Sequence, residues 1–83
     1  MDNYKQGKLS YNSESDRFGL LIADLWGKEF HCGNTLEYYD NDREVWVPTR
    51  IEISWPEKQY YLVGTGLKGD DLEGLRVRIS EDD

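Results

Sequence analysis

Hydrophobic and polar residues alternate along most of the chain, most regularly in the segment VWVPTRIEISW, residues 45–55. One face of this segment carries Val45, Val47, Thr49, Ile51, Ile53 and Trp55. The other face carries Trp46, Pro48, Arg50, Glu52 and Ser54. A period of two residues is typical of a β-strand. Because Pro48 cannot donate a ladder hydrogen bond, we expect an edge strand or a bulge at that position.

Two later segments show the same period. QYYLVGT, from Gln59, follows the short connection PEK, which predicts a strand antiparallel to the preceding one. In LRVRIS the apolar residues alternate with Arg76, Arg78 and Ser80, so the two arginines share one face of a third strand. Between these strands, GDDLEGL is compatible with a single helical turn.

The first half of the chain predicts further short strands. KLSYN and RFGLLIA flank the polar turn NSESD and predict an opening hairpin, and NTLEYYD predicts a strand that reverses at DNDRE. Five to six short strands without a long helical pattern predict an all-β domain. We expect a single small antiparallel β-barrel or sandwich, such as an SH3-like fold.

Length and charge restrict the function further. The 83 residues are expected to form one domain, residues 1–83, with flexible residues at both termini. The net charge of -7 opposes attachment to phosphate backbones and anionic membrane surfaces, so we expect no direct nucleic-acid binding. No segment has the length and apolarity of a membrane helix or of a leader peptide, and one cysteine forms no internal disulfide. These features predict a cytoplasmic protein without membrane contact.

The adjacent His31 and Cys32 raise the question of a catalytic pair. If Phe30 to Cys32 is extended, the two side chains point to opposite faces and do not form a nucleophile and base pair. We therefore expect Cys32 to be a buried, unreactive side chain, and Gly33 to provide a turn or bulge. The sequence predicts no catalytic residue, no metal site and no cofactor, and hence no enzyme.

The strongest candidate for binding is the polar face of the late strands. If these strands are neighbours, their arginines and Glu52 form a cluster, which is either a surface ion-pair ladder or an arginine patch that recognises an anionic group. The aromatic side chains exceed what one inward face of a small barrel holds, so some are exposed and mark a binding surface. The candidate binding residues are Trp46, Arg50, Glu52, Tyr61, Arg76 and Arg78.

Several sequence blocks together resemble a known family. These blocks are DRFGLLI, HCGNTLEYY, VWVPTRIEISW, YYLVG and LEGLRVRI, between Asp16 and Ile79. In this respect the chain resembles a family of small bacterial domains of unknown function from Gram-positive genomes and their mobile elements. The motifs that carry the resemblance are HCG-x-x-LE, W-x-x-TRIE and LEGL-x-VRI. The resemblance implies a short accessory protein and brings no established activity.

Three functions remain open at this point. The first is a small β-barrel module that binds a protein partner through exposed aromatic side chains and the patch of Arg50, Arg76 and Arg78. The second is an acidic inhibitor that mimics nucleic acid and acts on a host nucleic-acid enzyme. The third is a module that binds a small anionic ligand or a nucleotide, with the arginines on the phosphate and the aromatics on the base.

Overall fold

The structure, a computed structural model, describes residues 3–80. This part of the chain forms seven β-strands and one 3-10 helical turn. The strands are β1 (Tyr4–Asn12), β2 (Arg17–Ile22), β3 (Leu25–Glu29), β4 (Thr35–Asp40), β5 (Val45–Ser54), β6 (Gln59–Leu62) and β7 (Arg76–Ser80). The 3-10 turn covers Gly69–Leu72 and lies within GDDLEGL, where the sequence predicted one helical turn.

The seven strands form one antiparallel sheet in the order β3-β2-β1-β7-β4-β5-β6. The predicted all-β antiparallel class is confirmed. Among residues 3–80 there are seven strands rather than five to six, and no strand pairing between β3 and β6 closes the sheet into a barrel. The C-terminal strand β7 lies in the middle of the sheet, between β1 and β4.

The concave face of the curved sheet encloses the core. Alternate residues of the strands point inward, and the 3-10 turn adds Leu72. The buried residues are Leu9, Phe18, Leu20, Phe30, Leu36, Ile51, Leu62, Leu72, Val77 and Ile79. Full burial of one such side chain stabilises a fold by about 1.5–3 kcal/mol relative to exposure. The inward alternation predicted for Leu36 and Tyr38 and for Val77 and Ile79 is therefore confirmed.

Strand β5 explains how a proline fits within the sheet. Pro48 lies opposite Glu37 in the ladder with β4, whereas the ladder with β6 covers only Ile51 to Ser54. Pro48 thus lies in the half of β5 that extends past β6, where its missing N–H costs no ladder bond on that side. The expected edge position is confirmed for this half of the strand.

Strand β3 does not have the alternation that identified the other strands. Leu25 is 74% exposed and Trp26 is 46% exposed, because β3 is an edge strand that pairs with β2 only. Trp26 lies over Gly19 of β2, where an added Cβ atom would come within 3.2 Å of the indole ring. Gly19 therefore leaves the space that this tryptophan occupies.

The segment from His31 to Asn34 is a tight turn, and the prediction that Cys32 is buried is wrong. The Asn34 N–H donates to the His31 carbonyl at 2.9 Å, and Gly33 has φ of 90°. This is the geometry of a type II turn, which needs a glycine at the third position. The turn places Cys32 on the surface, and Phe30 is the residue that enters the core.

Two further points complete the fold. Flexibility was predicted for both termini, and residues 1–2 and 81–83 lie outside the described residues. Within residues 3–80 the chain has no helix long and apolar enough to cross a membrane.

Candidate functional site

The outer face of the sheet carries a cluster of arginine and aromatic side chains in mutual contact. We call it the arginine–aromatic ladder and define it as Tyr39, Arg76, Trp46, Arg78 and Tyr4. The Arg78 guanidinium carbon lies 3.9 Å from the centre of the Tyr4 ring and 4.4 Å from that of Trp46. The Arg76 guanidinium carbon lies 4.8 Å from the centre of the Tyr39 ring and 5.2 Å from that of Trp46. Each cation thus contacts two aromatic rings, which attract it through the ring quadrupole.

The topology of the sheet builds this cluster. Strands β1, β7, β4 and β5 are consecutive neighbours, and the residues that alternate with their core positions point outward. Tyr39 lies opposite Trp46 in the β4–β5 ladder, with ring centres 5.2 Å apart at an interplanar angle of 66°. The arginines of β7 reach across β4 to this pair. Four strands are therefore connected on one face by five side chains.

Hydrogen bonds fix one edge of each guanidinium. The Nε–H of Arg78 donates to Oε1 of Glu37 at 2.8 Å, and Nη2 of Arg78 lies 2.7 Å from the same oxygen. Arg76 donates from Nε and Nη2 to the side-chain oxygen of Gln6, at 3.0 and 2.7 Å. Among the described residues, Arg76 has no carboxylate partner. Its charge is therefore positioned by a neutral amide, and no carboxylate of residues 3–80 compensates it.

A lysine extends the positive charge of this face. Lys8 of β1 lies opposite Arg76 of β7 on one side and opposite Leu21 of β2 on the other. Leu21 in turn lies opposite Trp26 of β3. A row of exposed or half-exposed side chains thus crosses the sheet from Trp26 to the ladder, with two cations in its centre.

The predicted binding residues divide into two groups. Trp46, Arg76 and Arg78 belong to the ladder. Arg50 and Glu52 lie on the same face but form their own ion pair, with Nε and Oε2 3.0 Å apart, and Tyr61 of β6 lies opposite Glu52. The expected cluster of four charges does not form, because β4 separates β5 from β7 and supplies Glu37 as the partner of Arg78.

Sequence reasoning did not identify Tyr4, Gln6 and Glu37 as site residues. Tyr4 and Gln6 could have been found from their spacing. With Lys8 of the predicted first strand they form a series at a period of two, which places all three on one face of an extended strand. Glu37 was identifiable as an outward residue of its strand, but its pairing with Arg78 depends on the order of strands. That order is not contained in the local pattern.

A second group of polar side chains connects the first hairpin to the β5–β6 hairpin. Tyr11 and Lys58 both donate hydrogen bonds to the carboxylate of Asp16. The Tyr60 hydroxyl donates to the Asp16 carbonyl at 2.9 Å. Asp16 has φ of 58°, at the end of the turn between β1 and β2. This residue therefore joins two hairpins that are distant in sequence.

The pKa values of this group shift in consistent directions. The hydrogen bond from Lys58, together with the one from Tyr11, lowers the pKa of Asp16 below its usual value. The same hydrogen bonds raise the pKa of Lys58 and the pKa of Tyr11. Burial is the main reason why the pKa of Tyr60 is raised. At neutral pH the group thus contains a carboxylate, an ammonium and two neutral phenols.

No group of three or more metal-ligating side chains converges within residues 3–80.

Comparisons with known proteins place the chain in a family. No curated protein matches the chain. The chain is similar to the crystal structure of a protein from Ruminococcus gnavus, a structural-genomics target, with a TM-score of 0.73 and 34% sequence identity. The similarity covers 90% of this chain and 100% of that chain. A family model described as a domain of unknown function, DUF5348, matches residues 7–79, and the chain belongs to this family.

Proposed function

We propose that the protein is a non-enzymatic binding module that recognises a protein partner through the arginine–aromatic ladder. The observation that carries this proposal is that two arginines each contact two of three exposed or half-exposed aromatic rings on one open sheet face. Trp, Tyr and Arg are the residue types that contribute most of the energy at protein interfaces.

The ladder is suited to binding because its side chains are ordered before a partner arrives. Each guanidinium is held by stacking and by hydrogen bonds along one edge, so little side-chain entropy is lost when the other edge binds. The Nη1 groups of Arg76 and Arg78 have no hydrogen-bond partner among the described residues. A planar carboxylate is the group that pairs best with a guanidinium edge.

The charge of the face indicates the kind of partner. Lys8 and Arg76 are not paired with carboxylates of the described residues, although the whole chain has a net charge of -7. A partner segment that carries acidic and aromatic or aliphatic side chains would neutralise this local charge and cover the rings. Complementary charge of this kind gives specificity and a faster association rate.

The resemblance described above supports the biological setting of this proposal. A short binding module without a catalytic group fits a cytoplasmic accessory protein of a bacterium or of a mobile element. The nucleic-acid mimic would instead require an acidic binding face, and the ladder face is cationic. The ladder therefore favours the protein-binding module over the mimic.

A binding experiment with matched variants tests the proposal. Proteins of a bacterial lysate that carries this family are captured on the wild-type chain, identified, purified and titrated. We expect Arg76→Ala and Trp46→Ala each to weaken the purified complex roughly thirtyfold, since truncation of a hot-spot residue commonly costs about 2 kcal/mol or more. Arg50→Ala is the control, because Arg50 lies on the same face outside the ladder and is 54% exposed.

The comparison also defines the contrary result. Each variant is first checked by thermal unfolding, so that a loss of affinity is not caused by a loss of fold. Equal affinities of the wild type, Arg76→Ala and Trp46→Ala, or a larger loss with Arg50→Ala, would exclude the ladder as the binding surface.

A further inference from the structure

A cleft of about 520 Å³ lies at one open end of the core, away from the predicted binding residues. It is formed by the end of the first hairpin, the β5–β6 hairpin and the 3-10 turn. Ligand pockets are commonly concave, with an apolar lining and a small number of polar groups that fix the ligand's orientation. None of the ladder residues lines it.

Aromatic rings form the apolar wall of this cleft. Phe18 packs edge to face against Tyr11 on one side and Tyr60 on the other, with ring centres 5.5 and 5.6 Å apart. Tyr11 is 39% exposed, whereas Phe18 is 6% exposed and connects the wall to the core. Three linked rings thus form a rigid surface, and their faces attract cations.

The polar part of the lining is predominantly negative. Four carboxylates, of Asp16, Glu57, Asp70 and Glu73, face one cation, Lys58. Both oxygens of Glu73 accept hydrogen bonds, from the Ser10 hydroxyl at 2.6 Å and from the Tyr11 N–H at 2.8 Å, which holds this charge in place. Among the described residues, the Asp70 carboxylate has no hydrogen-bond or ion-pair partner. The lining therefore retains negative charge that its own residues do not neutralise.

The cleft already holds one group of the kind that its lining favours. The ammonium of Lys58 is bound by the Asp16 carboxylate beside Tyr60. This contact shows that a carboxylate of the lining binds an alkylammonium group. It occupies Asp16 and leaves Asp70 open.

We propose that this cleft is a binding site for an alkylammonium group, with the aromatic wall taking the apolar stem and the carboxylates taking the charge. Two sources supply this chemistry: the lysine side chain of a protein, and a free amine. The site is distinct from the ladder, and its ligand has the opposite charge to the partner expected there.

Three small probes test the chemistry and separate the sources. Isotope-labelled protein is titrated with Nα-acetyl-lysine methylamide, with butylammonium and with Nα-acetyl-norleucine methylamide, and amide chemical shifts are recorded by NMR. Norleucine has the stem of lysine without the ammonium. We expect the two cations to shift the amides around Tyr60 and Asp70, and norleucine to leave them unchanged. Tighter binding of the lysine probe identifies a protein side chain as the source, and tighter binding of butylammonium identifies a free amine.

Two variants are expected to change the affinity in opposite directions. Asp70→Asn removes an unpaired carboxylate and should weaken cation binding about two- to fivefold, the range for one exposed charge pair. Lys58→Asn frees Asp16 and should strengthen binding by a similar factor. Asparagine is suitable at position 58, because the backbone there has φ of 54° and asparagine tolerates this conformation.

A control variant and a clear contrary outcome complete the experiment. Asp42→Asn removes one negative charge from the β4–β5 turn, which does not line the cleft, and should leave cation affinity unchanged. The proposal is overturned if neither cation shifts the amides of the cleft, if norleucine binds as well as lysine, or if Lys58→Asn weakens binding.

Discussion

At the scale of single residues, the ladder depends on the shape of arginine as much as on its charge. A guanidinium is planar and stacks on an aromatic ring while its edge donates hydrogen bonds, whereas a lysine ammonium is a compact point charge. Arg76 uses both properties, because it contacts Tyr39 and Trp46 and donates twice to Gln6. Lysine at this position would keep the charge and lose the two stacking contacts.

We therefore expect Arg76→Lys to lower the free energy of unfolding by about 1 kcal/mol, the value of an exposed cation–π contact. Arg50→Lys should change it by less than about 0.5 kcal/mol, as is usual for surface substitutions. Urea denaturation of the two variants measures the difference. Equal stabilities would mean that the stacking of Arg76 contributes nothing to the fold.

The turn from His31 to Asn34 gives a second consequence at this scale. Cys32 is exposed at the second position of a type II turn. We expect a maleimide or disulfide reagent to modify Cys32 in the folded protein at a rate close to that of a short peptide. The reaction is followed by mass spectrometry without denaturant, and protection of the thiol by more than about tenfold would contradict the exposed position.

At the scale of elements, the sequence predicted those strands in which alternation separates a buried face from an exposed one. Strands β5 and β7 have this pattern, and their inward residues Ile51 and Val77 are fully buried. Strand β3 was not identified, because its large apolar residues Leu25 and Trp26 are exposed and a glycine follows them. A local pattern records burial, and β3 has too little burial to be recognised.

For the ladder, too, the local pattern predicted which side chains point outward and did not predict which of them meet. The outward positions of Trp46, Arg76 and Arg78 follow from alternation within each strand. Their contacts depend on the insertion of β4 between β5 and β7, which is set by long-range pairing. The pairing of Arg50 and Glu52 with the other arginines was therefore wrong, although each residue was placed on the correct face.

Asp16 links two elements, and the link is expected to depend on pH. The pKa of Asp16 in the folded protein lies below its ordinary value of 3.8, mainly because of the hydrogen bond from Lys58. A lowered folded pKa means that the contribution to stability is present above about pH 3.8 and is lost as the pH falls through the folded pKa. The raised pKa of Lys58 predicts the matching loss above its ordinary value of 10.5.

Asp16→Asn should therefore destabilise the protein at pH 6 and have a smaller effect in strong acid, where protonation of the wild-type carboxylate begins to remove its charge as well. Asparagine is accepted at this position, since it tolerates the φ of 58°. Urea denaturation at the two pH values gives the comparison. A difference between wild type and variant that is the same at both pH values would show that the charge of Asp16 does not stabilise the link.

At the scale of the whole molecule, charge is distributed unevenly. The middle of the outer face carries Lys8, Arg76 and Arg78, while acidic residues are frequent in the turns, such as Asp42 and Glu44. The net charge of -7 therefore conceals a cationic face. For this reason a protein partner at the ladder should be insensitive to charges in the distant turns.

We expect Asp42→Lys and Asp70→Lys to leave the affinity for a partner bound at the ladder within about 1 kcal/mol, as is usual for peripheral charges. Duplex DNA should not compete for the same partner. Titration of the purified complex at low and moderate salt measures both effects. A large loss of affinity with these charge reversals, combined with competition by DNA, would instead support the nucleic-acid mimic. The acidic residues 81–83 lie outside the described residues.

The central position of β7 also determines the order in which the sheet is completed during folding. The pairings within β1 to β3 and within β4 to β6 join strands that are adjacent in sequence, so each group can form its own antiparallel unit early. The edges of β1 and β4 that face each other receive their partner only when β7 pairs with both strands. Unpaired edges are templates for association with other chains. The folding chain is therefore most vulnerable to aggregation while both units have formed and β7 has not yet joined them.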